Sequence, residues 1–386
     1  MNMGDVIMKK IWVYITVFIL SAVILFFGSK WAHDGVTIFK HSAEAVTAKV
    51  MTIDKKTETK GDNFTSTVVI FRAQIQGGKH DGEVVKAYQE HNSQVANMRI
   101  VRPGDTVIMK NYKIEDLGTD WAVENFKRSN VLFILIAAFA VLVIIFGRSK
   151  GFRTIISLAY TCLAVFLVFI PAVLGGRNIY VTSIAICVFI IFMTLLLVNG
   201  ADKKTLCAAL GCVGGVLTAA IITVIMSKVM IFAGYTNEDS YYLTMLPKPV
   251  NLKALNFAAI IIGAVGAVMD VAMSLSSSLY EMKEKIPDIS FKSLVSSGLA
   301  IGRDMMGTMS NTLVLAYIGS SVSCVLLLLT YADSLADVLN REMIAYEILQ
   351  AIAGSLGILL AIPLTTLVCG VFYLKRRAKH IESEKI

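Results

Sequence analysis

Long apolar runs recur along almost the whole chain, at approximately 11–28, 129–147, 154–174, 179–199, 205–227, 254–279, 305–330 and 347–374. Each is near the ~20 residues that cross the ~30 Å hydrocarbon core of a bilayer. The pattern predicts a mainly α, polytopic transmembrane helix bundle of about eight spans, with seven or nine as alternatives. Connections such as GRSKGFRT after the second run and GGRNI after the third are short, which makes neighbouring helices antiparallel.

The polar stretch 30–127 breaks this pattern. Apolar and polar residues alternate there in short runs, EAVTAKVMTI, TSTVVIFRAQI, GEVVKAYQ and DTVIMKNY. Turn signals divide them at Lys60-Gly61-Asp62-Asn63, Gly77-Gly78, Asp81-Gly82 and Pro103-Gly104-Asp105. A period of two predicts strands, and together they read as a small antiparallel β domain, in form a five-stranded barrel. The expected organisation is a signal-anchor helix over 1–29, an extracytoplasmic β domain over 30–127, a seven-span bundle over 128–379 and a cytoplasmic tail over 380–386. A cleaved signal peptide is the alternative for the first run, but no small-x-small site follows it.

Other local features refine the bundle. The segment 228–253, KVMIFAGYTNEDSYYLTMLPKPVNLK, is too polar to span and reads as an interfacial helix or a cap. Pro363 predicts a kink in the last run, and Pro171 the end of the third. Gly211-x-x-x-Gly215 and Gly298-x-x-x-Gly302 suit close helix approach.

Composition supports a membrane class: 56% of the 386 residues are hydrophobic and 17% are charged, against about a quarter charged in soluble domains. The net charge of +8 would suit nucleic acid if it formed a surface. It lies instead at the ends of apolar runs, in Lys9–Lys10, Arg148–Lys150–Arg153, Lys203–Lys204, Lys283–Lys285 and Lys375–Arg376–Arg377–Lys379. Eight spans put all five clusters on one face, which places both termini in the cytoplasm by the positive-inside rule. The lipid bilayer is then the expected partner and nucleic acid is not.

The six cysteines lie inside apolar runs, with no C-x-x-C pair, and read as small buried hydrophobes rather than disulfide or metal ligands. His33, His41, His80 and His91 fall in the polar stretch without metal-ligand spacing. No hydrolase elbow, Walker loop or H-E-x-x-H occurs. The expectation is a protein that is not an enzyme and holds neither metal nor cofactor.

One stretch carries candidate chemistry. In GAVGAVMDVAMSLSSSLYEM, Gly263, Gly266, Asp270, Ser274, Ser277, Ser278 and Glu281 share one helical face. A carboxylate at such depth costs roughly 2.5–3.5 kcal/mol on insertion scales and usually marks an ion or proton path. In the next run Asp304, Thr308, Asn311 and Thr312 share a face, flanked by Arg303 and Ser310. Depth matching predicts a hydrogen bond from Asp270 to Asn311 or Ser310, with Arg303 and Asp304 pairing each other or Glu281. Asp270 then exchanges protons, or coordinates Na⁺ with hydroxyl and amide oxygens. Two other readings stay open: a polar staple that fixes helix pairing, and a catalytic group.

These two runs, GAVGAVMDVAMSLSSSLYEM and GRDMMGTMSNTLVLAYIGS, resemble the YibE/F family of bacterial membrane proteins. FGRSKGFR and the preceding domain ending in RPGDTVIMKNY fit the same resemblance, which implies a multi-pass protein of the bacterial plasma membrane. Asp270, Glu281 and Asn311-Thr312 are also similar to the pattern in SecD/SecF-type proteins, whose superfamily couples proton flow through membrane carboxylates. By that analogy 154–374 is a six-helix unit, although the large outer domain of that superfamily is reduced here to GGRNI. The expected function is a permease or exporter coupled to H⁺ or Na⁺, acting alone, as a homo-oligomer or with a second membrane subunit. The alternative is a non-transporting scaffold or accessory subunit whose outer β domain binds a partner.

Overall fold

A computed structural model describes residues 3–34, 45–60, 65–92, 99–112, 119–236 and 239–374. His41, part of the Lys60–Asn63 turn, the basic cluster at 375–379 and the tail 380–386 lie outside the described residues. The chain divides into two compact units, Thr37–Leu142 and Met1–Val36 with Val143–Ile386.

In the first unit, β1 (Ala45–Lys60), β2 (Thr65–Gln76), β3 (Val84–Asn92), β4 (Thr106–Asn111) and β5 (Trp121–Phe126) close into a barrel in the order β1-β2-β3-β5-β4. All pairings are antiparallel except β3 with β5. This is the five-stranded Greek-key arrangement of OB-type barrels, a fold that carries no function by itself. The alternation read from the sequence sets the core: Val46, Ala48 and Val50 of β1 meet Val69, Phe71, Ala73 and Ile75 of β2, with Ala87, Val107 and Met109. Buried Gln89 holds the segment before β4, donating to the Arg99 carbonyl (3.0 Å) and accepting from Val101 N (2.9 Å). Gly104 has φ +94, which the Pro-Gly-Asp turn needs, and its N–H donates to the Val50 carbonyl beside a bulge in β1. Glu124 accepts from Tyr112 Oη (2.7 Å) and Lys110 Nζ (2.9 Å). These two donors hold its carboxyl below the usual carboxylate range.

The second unit is helical. Its elements are α1 (Met3–Ala32), α2 (Ser129–Leu163, whose first residues belong to the barrel unit), α3 (Ile170–Leu174), α4 (Ile179–Asn199), α5 (Lys203–Val229), α6 (Asp239–Thr244), α7 (Leu252–Lys285), α8 (Phe291–Tyr331), α9 (Leu335–Asn340) and α10 (Glu342–Leu374). Seven helical stretches among the described residues are long and apolar enough to cross a membrane. One of them, Ser129–Leu174, is 46 residues long. A straight helix of that length would measure about 70 Å, twice the hydrocarbon core. It is not straight. Arg148 breaks it with φ 49 and ψ −130. A Cβ on Gly151 would stand 2.1 Å from the Val143 carbonyl oxygen. Eight residues of continuous helix span about 12 Å, so the chain has folded back between them.

Pro171 does not end its helix directly. A π-helical turn, Ala164–Phe169, precedes it, and that wider turn accommodates a residue with no N–H to give. The helix closes at Leu174, followed by Gly175. α10 continues helically through Pro363. Within 228–253 the chain forms the short α6 after a left-handed Ile231 (φ 54).

α1 is packed into this unit rather than standing apart. Tyr160 Oη donates to the Phe18 carbonyl (3.1 Å) with the two rings edge to face, Val168 lies against Gly28, and the Arg153 guanidinium covers the Tyr14 ring at 4.3 Å. α10 is gripped on two sides by the two glycine pairs. Side chains on Gly211 and Gly215 would strike Thr365, Ala361 and Gly357; side chains on Gly298 and Gly302 would strike Thr366 and Ile362. Both small-residue motifs therefore serve packing within the chain, on one helix. Four cysteines, Cys187, Cys207, Cys212 and Cys369, are buried as expected, whereas Cys162 is exposed and Cys324 half-buried.

Candidate functional site: a polar stripe on two apolar helices

α7 lies against α4, α5, α8 and α10. Ala264, Val268, Val271, Ala272, Leu275 and Leu279 are buried in these contacts. The remaining face carries Gly263, Gly266, Asp270, Ser274 and Glu281, all exposed, with Ser277 and Ser278 half-buried beside them. On α8 the inward edge is Leu294, Gly298, Gly302 and Leu313. Arg303, Asp304, Thr308, Asn311 and Thr312 are exposed and Ser310 is half-buried. The helical faces read from the sequence are thus real faces, and both point away from the packed interior of the bundle.

The expected pairing between them is not formed. Asp270 has no hydrogen bond or ion pair among the described residues, to Asn311, Ser310 or any other group. Arg303, Asp304 and Glu281 likewise form no ion pair there. The reason is geometric. α8 leans its glycine edge on α10, with Gly302 against Ile362, and this turns the Asp304–Thr308–Asn311 face away from α7. The hydroxyls satisfy their own helices instead: Ser278 bonds the Ser274 carbonyl (3.0 Å), Thr308 the Met305 carbonyl (3.0 Å) and Thr312 the Thr308 carbonyl (2.9 Å). Neither carboxyl oxygen of Asp270 is engaged by another described side chain.

Sequence reasoning passed over the serine that does structural work. Ser276, fully buried, donates to the Lys204 carbonyl (2.7 Å) and meets Tyr373 Oη (2.7 Å), joining α7 to α5 and α10. It lies six residues from Asp270, about 120° round the helix from it, and that offset was the available signal. Missed too were the polar groups near the start of α10. Tyr346 Oη donates to the Asn256 carbonyl (2.6 Å), Asn256 Nδ2 to the Gly234 carbonyl (3.0 Å), and the Gly234 N–H to Glu342. Glu347, at the edge of the last apolar run, has Oε2 buried with no hydrogen-bond partner among the described residues, and the buried Tyr317 hydroxyl lies beside Gln350.

His33 Nδ1 bonds the Ser29 carbonyl (2.9 Å), His80 pairs with Glu83 (3.0 Å), and His91 has its Nδ1 buried. No group of three or more potential metal ligands occurs among the described residues.

A bundle of helices this apolar, bearing an uncompensated carboxylate and amide stripe and accompanied by a closed β-barrel in a separate unit, defines a membrane protein. The chain belongs to the YibE/F family: the family of YibE/F-like proteins matches residues 135–375, which takes in α7, α8 and α10 and leaves out the barrel. No curated protein and no solved structure matches the chain.

Proposed function

We propose that the protein is a multi-pass permease or exporter of the bacterial plasma membrane, coupled to H⁺ or Na⁺ through Asp270. The observation that carries this reading is that Asp270, in the middle of an apolar helix, has no hydrogen-bond or ion-pair partner among the described residues. A structural staple would be hydrogen-bonded, because an unpaired polar group in hydrocarbon costs several kcal/mol. An ion-binding carboxylate must keep its oxygens available. Ser274 and Glu281 extend the stripe along α7, and Asn311, Thr308 and Thr312 supply further oxygens on α8.

The chain spans the membrane eight times in this reading, the turn at Arg148 separating the second and third spans, with both termini cytoplasmic. The exposed stripe cannot face lipid tails, so a water-filled cleft or a second membrane subunit, in the simplest case another copy, covers it. The accessory-scaffold alternative assigns function to the barrel. Ion movement driven by a pH or Na⁺ gradient in proteoliposomes separates the two. Permeation requires that Asp270→Asn folds and abolishes it while removal of residues 30–127 does not. A scaffold requires that Asp270→Asn leaves the protein's function intact and that removing the barrel destroys it.

A further inference from the structure

A second carboxyl belongs to the same path. An apolar groove of about 250 Å³ runs between α8 and α10, walled by Val314, Ile318, Ile344 and Ile348; Tyr317, Ser321 and Glu347 also line it, with their polar atoms covered from its open space. Ser321 is already bonded to the Tyr317 carbonyl (3.0 Å). Glu347 is not satisfied: its Oε2 is buried and has no hydrogen-bond partner among the described residues, whereas the buried Tyr317 hydroxyl lies beside the Gln350 amide. Tyr317 also marks the way to α7, for a Cβ on Gly263 would stand 2.6 Å from its hydroxyl, with Gln350 Nε2 4.0 Å from the same point. Gly266, the next position of the stripe, has open space beside it. Asp270 follows, seven residues or about 10 Å along α7 from Gly263.

We infer that Glu347 is a second monovalent-cation site, for a proton or Na⁺, placed about two helical turns from Asp270 towards the start of α7, in a groove that Tyr317 shares with it. The inference rests on the permeation reading of Asp270. A carboxylate oxygen buried among isoleucines without a donor is completed by a cation that comes and goes. With a proton, an O–H bond forms at the carboxyl as one breaks in the hydronium ion or water that delivers it. With Na⁺, the carboxylate and hydroxyl oxygens are its ligands. The titratable groups that feel Glu347 are Tyr317 of α8 and Tyr346 of α10 itself. Near them, Arg341 is paired with Asp337 at 3.0 Å and Glu342 is held by the Gly234 N–H. α7 presents Asn256, already bonded to the Gly234 carbonyl, and α5 ends in Lys228.

The test is modification of the full-length protein in membranes with dicyclohexylcarbodiimide, an apolar reagent that attacks protonated carboxyls, followed by peptide mass mapping. In Na⁺-free buffer, Glu347 should form the adduct several-fold faster than the exposed Glu284, because the apolar groove admits the reagent. Tyr317→Phe should change that rate and Glu347→Gln should remove the adduct. Added Na⁺ at fixed pH decides the source: several-fold protection means Na⁺ occupies the site, and unchanged labelling means the proton does. Glu347 left unlabelled, or labelled no faster than the exposed Glu284, overturns the proposal. Because adducts are read residue by residue, failure at Glu347 is distinct from failure at Asp270.

Discussion

Ser274, Ser276, Ser277 and Ser278 stand within five residues of one another, yet they do different things. Ser276 joins three helices through the Lys204 carbonyl and Tyr373, while Ser278 only bonds back to its own helix. Replacing Ser276 by Val should therefore lower stability by about 1–3 kcal/mol, because buried partners are left unpaired. Ser277→Ala and Ser278→Ala should stay within about 0.5 kcal/mol. Thermal unfolding in detergent reads both. Periodicity alone finds the Asp270 face but cannot say which face a neighbour covers, so the sequence favours the stripe and misses Ser276. In the barrel, Glu124 sets a second residue-scale expectation. Its carboxyl is held low by Tyr112 and Lys110, so the contribution is present above the unfolded value of about 4.3 and lost as pH falls below it. Solvent screening keeps it under about 1 kcal/mol. Hydrogen exchange of the β4 and β5 amides in the full chain should show the acid loss, and Glu124→Gln should flatten it.

At the level of elements, the packing depends on α10. Gly211, Gly215, Gly298 and Gly302 leave no room for a Cβ against it. Gly302→Leu should destabilise by about 2–3 kcal/mol or more, since Ile362 would have to leave its place. Gly266→Ala, with open space around it, should be neutral or stabilise by up to about 1 kcal/mol. Equal losses from both would contradict the assignment of which glycines are contacts. The two glycine motifs were visible in the sequence because small residues at a spacing of four are a packing signal. That both meet the same helix was not visible, since a motif names one side of an interface. The strands were legible for a related reason: one face of each is buried, and alternation records it. The parallel closure of β3 on β5 is a long-range pairing that alternation does not encode.

For the whole molecule, the decisive point is the fold-back at Arg148. The sequence breaks the run 129–174 at GRSKGFR, and the Gly151–Val143 approach agrees with a reversal there. Single cysteines in a cysteine-free background should respond to an impermeant maleimide accordingly. Eight spans put Ser149, Asp202 and Asp288 on one side of the membrane and Asn178, Tyr241 and Asp333 on the other. A Ser149→Cys that stays silent in permeabilised cells, where the reagent reaches both faces, would mean that it lies within the membrane and that the count is wrong. What the sequence could not supply is the direction in which α7 and α8 present their stripes. That direction is set by how α8 leans on α10.

The central claim is that Asp270 binds the coupling ion, and it can be tested before any substrate is known. Proteoliposomes adsorbed on a solid-supported electrode report the charge displaced when an ion binds within the membrane. The account predicts a transient current after a pH jump or a Na⁺ jump in the wild type, absent from an Asp270→Asn protein with the same melting temperature. A current of equal size in both proteins, or none in the wild type for either ion, would contradict it.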